Sequence, residues 1–147
     1  MNRVAGSGYV LRDSEGVLIE GGCHRHLRVV DPFISELLAL RDGLEAAVRR
    51  NLAQVIVQTD CASLVSLWQY PRQLRMEGSH ILIELKKTRA MRSRLSSFFN
   101  YLNRSANFAA HTCAKEALSI VNPFCFDVTP GFLLRVIQAD CNPVTSV

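Results

Sequence analysis

The sequence predicts a single mixed α/β domain, with antiparallel strands first and alternating strands and helices after them. Three observations lead there. The N-terminal stretch alternates short β-prone runs with turn residues, Asp31-Pro32 opens an amphipathic helical pattern, and Val55-Ile56-Val57 is an uninterrupted β-branched run followed by more helical periodicity.

Tyr9-Val10-Leu11 is β-prone, Arg12-Asp13-Ser14-Glu15-Gly16 is turn chemistry, and Val17-Leu18-Ile19 resumes the apolar pattern, so a hairpin is expected. Residues 23–30 are expected to add a third antiparallel strand. Asp31 supplies an N-cap, and Pro32 suits the first helical position, where a backbone N–H is not needed. Ile34, Leu37, Leu38, Leu44 and Val48 recur at helical spacing, predicting a helix that ends near Asn51. The run at Val55 predicts a strand covered on both faces, because apolar residues do not alternate with polar ones. A helix over 62–69, a loop from Pro71 to Gly78 and a longer helix over about 80–95 follow. Residues 96–102, with Phe98 and Phe99, predict another strand. A last helix from Asn107 to Ile120 turns Ala109, Ala110, Cys113, Ala114, Ala117 and Leu118 inward. Trp68 and the phenylalanines are expected in the core, and the tail around Phe132 to Ile137 is expected to dock as a short segment.

Composition narrows the function classes. The chain has 147 residues, enough for one sizeable core, with 48% hydrophobic and 20% charged residues, so a folded domain is expected rather than disorder. A formal charge of +4 favours polyanionic partners weakly. Five scattered cysteines without a CxxC pair argue against a disulfide framework and a structural zinc site. Neither an apolar leader nor a stretch of roughly 20 apolar residues is present, so no membrane association is expected. The expectation is an intracellular protein, nuclear or cytoplasmic, and a monomer.

Several residues invite chemical readings beside plainer ones. Glu36 stands among apolar residues on the first helix, where a solvent-facing carboxylate is the ordinary outcome. Asp60 ends a strand, a position where α/β folds place sites, yet it also suits an N-cap for the next helix. Cys23, His24 and His26 resemble metal ligands, but no second ligand pair follows at useful spacing. Between Arg72 and Arg94 lie seven basic residues against two acidic ones, including Lys86, Lys87 and Arg89. Such a face can displace counterions from a phosphate backbone, or simply be solvated.

Four segments, taken in order, resemble the ribonuclease H superfamily, and most nearly the reverse-transcriptase-like ribonuclease H domains abundant in plant genomes. They are Gly6 to Asp13 with Gly16, Ser35 to Leu44, Val55 to Asp60, and Phe99 through Arg104-Ser105-Ala106-Asn107-Phe108-Ala109-Ala110-His111. The likeness spans about residues 6–120, leaving 121–147 as a C-terminal tail whose stretch from Leu133 to Asp140 also resembles family members. It implies an α/β ribonuclease H-like three-layer fold, a mixed sheet with helices on both faces.

The resemblance also implies an activity: hydrolysis of the RNA strand of an RNA–DNA hybrid by two Mg2+ ions about 3.5–4 Å apart. Hard cations require oxygen donors, and the family supplies four carboxylates. Glu36 and Asp60 match two of these positions as metal ligands and catalytic residues. His111 occupies a third, as in many plant relatives, although histidine is a poorer magnesium ligand; it can shuttle a proton or bind a phosphate. The aspartate of the family's first strand has no counterpart, because only five residues precede Gly6 and none is acidic. That N-terminal strand is therefore expected to be missing. In the family it lies between the strands matched by the hairpin and by residues 55–59, which are left to expose backbone edges or to pair directly. Arg104 and Asn107 fall at the family's loop positions for nucleic-acid contact, beside Lys86, Lys87 and Arg89. The expected function is nucleic-acid binding with impaired hybrid cleavage. A non-catalytic binding module and a structural remnant of a transposon-derived protein are the alternatives.

Overall fold

β1 (Val4–Arg12) and β2 (Leu18–Leu27) pair antiparallel around a turn that Asp13 holds together. Its carboxylate accepts the backbone N–H groups of Glu15 and Val17, each at 2.9 Å, which closes the turn locally. The computed structural model describes residues 3–29, 31–69, 87–88, 90, 96–101 and 107–141. Residues 23–27 continue β2 and are not a separate third strand, because the ladder with β1 runs through Gly21 and Gly22 unbroken. The third strand of this sheet is β5 (Phe124–Phe126), antiparallel to β2; three residues are too few for a period-2 signal in sequence.

α1 (Pro32–Arg49) begins as its sequence dictates, with the Asp31 carboxylate accepting from the Phe33 N–H at 2.9 Å and Pro32 in the first turn. Leu37, Leu40, Leu44 and Ala47 form a buried cluster with Leu64, Leu67 and Trp68 of α2 (Ala62–Gln69). Val55 and Val57 of β3 (Gln54–Thr59) pack against it. β3 runs parallel to β4 (Ser96–Tyr101), from Gln54 opposite Ser96 to Thr59 opposite Tyr101. β3 is not covered on both faces: Ile56 is 64% exposed, and Gln54 and Gln58 share its open side. Lys87, Thr88 and Ala90 are helical, with Thr88 buried. The rest of the helix expected over 80–95 and the loop at 71–78 lie outside the described residues.

α3 (Phe108–Ala117) covers the other face of the hairpin. Alternation along β1 decides which side chain goes where. Gly6 and Gly8 face α3, while Ser7 and Tyr9 face the α1 side. A second core joins Cys23, Cys113, Ala117 and Phe126 to Leu133 and Ile137 of the tail, where a single 3-10 turn (Gly131–Leu133) leads into α4 (Leu134–Cys141). The tail therefore docks. Leu118 departs from the inward pattern, 47% exposed just past the end of α3, and Phe108 and Phe124 are also exposed rather than core.

A polar layer lies between the hairpin and α1. Glu20, 5% exposed, accepts from the Tyr9 hydroxyl at 2.6 Å and from Arg49 and Arg50 at 3.1–3.3 Å. Burial alone would raise its pKa, but these donors outweigh burial and hold the carboxyl below its ordinary value. Ser7 and His26 share a hydrogen bond at 2.6 Å, His26 stacks on His24 at 4.2 Å, and His24 contacts Asp42 at 3.3 Å.

Burial, reinforced by the positive charge of His24 and Arg41 and opposed by Asp42, pulls the His26 imidazole down to about 4. The unfolded chain takes up this proton near 6.5, well before the folded one does. Stability from this group is therefore complete above 6.5 and declines as the pH falls toward 4. Urea melts across that window are expected to show the decline, and His26→Asn is expected to flatten it.

Candidate functional site

Glu36 sits in the early part of α1, held there because its neighbour Leu37 is fully buried. Asp60 follows the last residue of β3. Thr59 is buried, and its hydroxyl accepts the Cys61 N–H at 3.1 Å, while the Cys61 carbonyl receives the N–H groups of Leu64 and Val65 and starts α2. Asp60 is thus fixed between a strand end and a helix start, one residue before the capping position. Asn107 precedes α3, and its side-chain amide donates to the Asp60 carboxylate at 3.5 Å. His111 lies one turn further along that helix.

All four side chains line one small cavity of about 30 Å3, together with Gly6, Ser7, Gly8, Ser35, Ala39, Ala110 and Ala114. The glycines permit this closeness. A Cβ on Gly6 would lie 1.9 Å from the carbonyl oxygen of Ala114, and one on Gly8 would lie 2.4 Å from the Cys113 Cβ. α3 consequently rests directly on the β1 backbone, which brings His111 and Asn107 toward α1 and Asp60.

The electrostatics agree with this convergence. Burial pushes the Cys61 thiol up, and the Glu36 and Asp60 carboxylates push it the same way. Sequence reasoning does not single out Ser35 as a site residue. Its hydroxyl is buried and has no hydrogen-bond partner, and the one signal for it is a small polar residue on an otherwise apolar helix face.

Among the described residues, Glu36 and Asp60 are the carboxylates that line the cavity, with His111 beside them. Among the described residues, no three His, Cys, Asp or Glu side chains converge closely enough to hold a metal ion. Among the described residues, the two carboxylates at the cavity are fewer than the ring of oxygen donors that a two-ion set needs. The Cys23, His24 and His26 group falls under the same finding: His24 and His26 share one strand face and are engaged by Asp42 and Ser7. Lys87 is exposed on its helical segment, whereas Lys86, Arg89 and Arg104 lie outside the described residues, as do Arg72, Arg75, Arg92 and Arg94. A larger cavity of about 170 Å3, lined in part by Tyr9, His24, Asp42, Glu45 and Arg49, contains none of the expected site residues.

Residues 1–117 match the family model described as reverse transcriptase-like. The chain belongs to the reverse transcriptase-like family. Solved structures agree with the fold of this reverse transcriptase-like domain. RNase H1 from the halophilic archaeon Halobacterium salinarum aligns with a TM-score of 0.69 at 22% identity, over 80% of this chain and 88% of the archaeal one. The N-terminal RNase H domain of a Mycobacterium tuberculosis protein, solved as a fusion with maltose binding protein, aligns with a TM-score of 0.55 at 16% identity, over 79% of this chain and 91% of that one. LC9-RNase H1, a type 1 RNase H with the type 2 active-site motif, gives 0.57 at 14% identity, over 94% and 82% of the two chains. No curated protein matches the sequence. The reverse transcriptase-like domain thus has the mixed α/β, ribonuclease H-like fold that its sequence predicts. Among its described residues, no helix is long and apolar enough to cross a membrane.

Proposed function

We propose that this domain binds nucleic acid, RNA–DNA hybrids in particular, as a monomer, and that its hybrid-cleaving chemistry is impaired. The observation that carries this reading is the meeting of Glu36, Asp60, Asn107 and His111 at one cavity, although they come from three separate parts of the chain. The ribonuclease H-like family binds nucleic-acid substrates, and these are the positions at which the sequence resembles its site.

Impairment follows from the donor set. Glu36 and Asp60 are the oxygen ligands that Mg2+ would meet, and His111 is a weak substitute for a third carboxylate. Two carboxylates alone leave a second ion's charge uncompensated. Binding depends instead on cations and amides. Lys86, Lys87, Arg89 and Arg104 would contact phosphates, and Asn107 at the cavity would add a side-chain amide.

Titrating salt against affinity for a short RNA–DNA hybrid tests the binding. Affinity is expected to fall log-linearly with salt. Replacing Lys86, Lys87 and Arg89 by glutamine is expected to make the slope shallower by up to about 0.9 for each phosphate that is no longer neutralised. Affinity independent of salt, or a slope unchanged in the triple variant, would remove the basic face from the account.

A further inference from the structure

Cys23 and Cys113 are far apart in sequence and meet in the second core, where both are buried. The backbone brings them together. Cys23 on β2 stands directly opposite Gly8 on β1. A side chain at Gly8 would be its cross-strand neighbour, on the same sheet face, with the two Cβ atoms about 4.5–5.5 Å apart. Gly8 has no side chain, and a Cβ built there would lie 2.4 Å from the Cβ of Cys113. Cys113 thus fills from α3 the place that a cross-strand partner of Cys23 would take. That place adjoins the reach of a disulfide, whose Cβ atoms stand about 3.5–4.5 Å apart.

The two thiols are unequal within this contact. The Cys113 S–H donates to the Cys23 sulfur, which holds the Cys23 thiol below its ordinary value although burial and the Glu116 carboxylate oppose it. The same bond, together with burial, pushes the Cys113 thiol up. Cys23 is therefore the readier nucleophile, and Cys113 is the thiol held against it. Cys61, by contrast, is pushed up by burial and by nearby carboxylates. Because Cys23 and Cys113 are buried, an oxidant that reaches them must be small, as a peroxide is.

We propose that Cys23 and Cys113 form a redox couple, a dithiol that hydrogen peroxide converts to a disulfide tying α3 to β2. The Cys23 sulfur attacks one peroxide oxygen and breaks the O–O bond, giving a sulfenic acid at Cys23 and one water. The Cys113 sulfur then attacks the Cys23 sulfur, and its proton leaves with the sulfenic hydroxyl as a second water. The two thiols lose two electrons and one peroxide gains them. A thiol reductant reverses the change by exchange. The bond would hold α3 against the hairpin, two residues beyond His111. None of this depends on the nucleic-acid reading.

The test is peptide mapping of the full 147-residue chain after hydrogen peroxide, with the remaining thiols alkylated on unfolding. A linked peptide pair containing Cys23 and Cys113 is expected, and dithiothreitol is expected to abolish it. In the bridged protein, amides of residues 108–117 are expected to exchange about tenfold more slowly than in the reduced protein. Cys113→Ser is expected to leave a dimedone-reactive sulfenic acid at Cys23, whereas Cys23→Ser is expected to leave none at Cys113. The mapping of the parent chain decides the matter whether or not either variant folds. Peptides that link other cysteines and never Cys23 to Cys113 would overturn the proposal. So would Cys23 and Cys113 both recovered alkylated after peroxide, or Cys23 recovered as a sulfinic acid without a bridge. Unchanged exchange over residues 108–117 in bridged protein would overturn the tie between the couple and α3.

Discussion

Gly6→Val is expected to lift α3 from the hairpin and destabilise the domain by about 3 kcal/mol, at the upper end of what overpacking costs. The reason is the identity of the obstacle. A Cβ at Gly6 would meet the carbonyl oxygen of Ala114 at 1.9 Å and its carbonyl carbon at 3.0 Å, so a helix backbone must move and not the tip of a flexible side chain. Because α3 carries His111 and follows Asn107, the same displacement pulls two of the four candidate site residues away from Glu36 and Asp60. The urea midpoint measures the stability loss. Gly131→Ala is the control, since nothing lies within 4 Å of a Cβ there, and a midpoint close to the parent's is expected. A Gly6→Val protein as stable as the Gly131→Ala protein would show that α3 does not rest on β1 as described.

Leu37→Ala is expected to cost about 2–5 kcal/mol, because it leaves a cavity in the cluster that joins α1 to α2. Leu37 is fully buried among Leu40, Leu44, Leu64, Leu67 and Trp68. It also lies next to Ser35 and Glu36, so its packing sets the depth at which α1 presents the site. Leu37→Met, which nearly conserves volume, is expected to cost less than about 1.5 kcal/mol. Thermal or urea unfolding of the pair separates a packing effect from a general intolerance of change at this position.

What the sequence revealed and what it hid follow from the range of the interactions involved. α1 was legible at its start because both signals, the Asp31 cap and Pro32, are local. α2 was legible as a helix following the strand that ends at Asp60, and its range matches 62–69. Glu36 and Asp60 could be named from the resemblance, and the fold brings them to the same cavity. β5 was hidden, since Phe124–Phe126 becomes a strand only by pairing with Gly21–Cys23, far away in sequence. The continuity of β2 was hidden for a similar reason: the pair Gly21-Gly22 resembles a break until β1 is placed beside it. Val55-Ile56-Val57 suggested burial on both faces, yet Ile56 is exposed, because residue type reports the propensity of a strand and not which layers cover it. Ser35 was invisible as a site residue, since an unpartnered hydroxyl is a property of the packed fold.

The proposed function holds that Glu36, Asp60, Asn107 and His111, which share one cavity, bind a hybrid with too few carboxylates for turnover. The most direct measurement is Mg2+-dependent cleavage of a labelled RNA–DNA hybrid at saturating protein, comparing the parent chain with a Glu36→Gln, Asp60→Asn double variant. The expected result is a bound hybrid and no Mg2+-dependent product above that of the double variant. Cleavage that requires Mg2+ and disappears in the double variant would contradict the account, because Glu36, Asp60 and their neighbours would then suffice for catalysis.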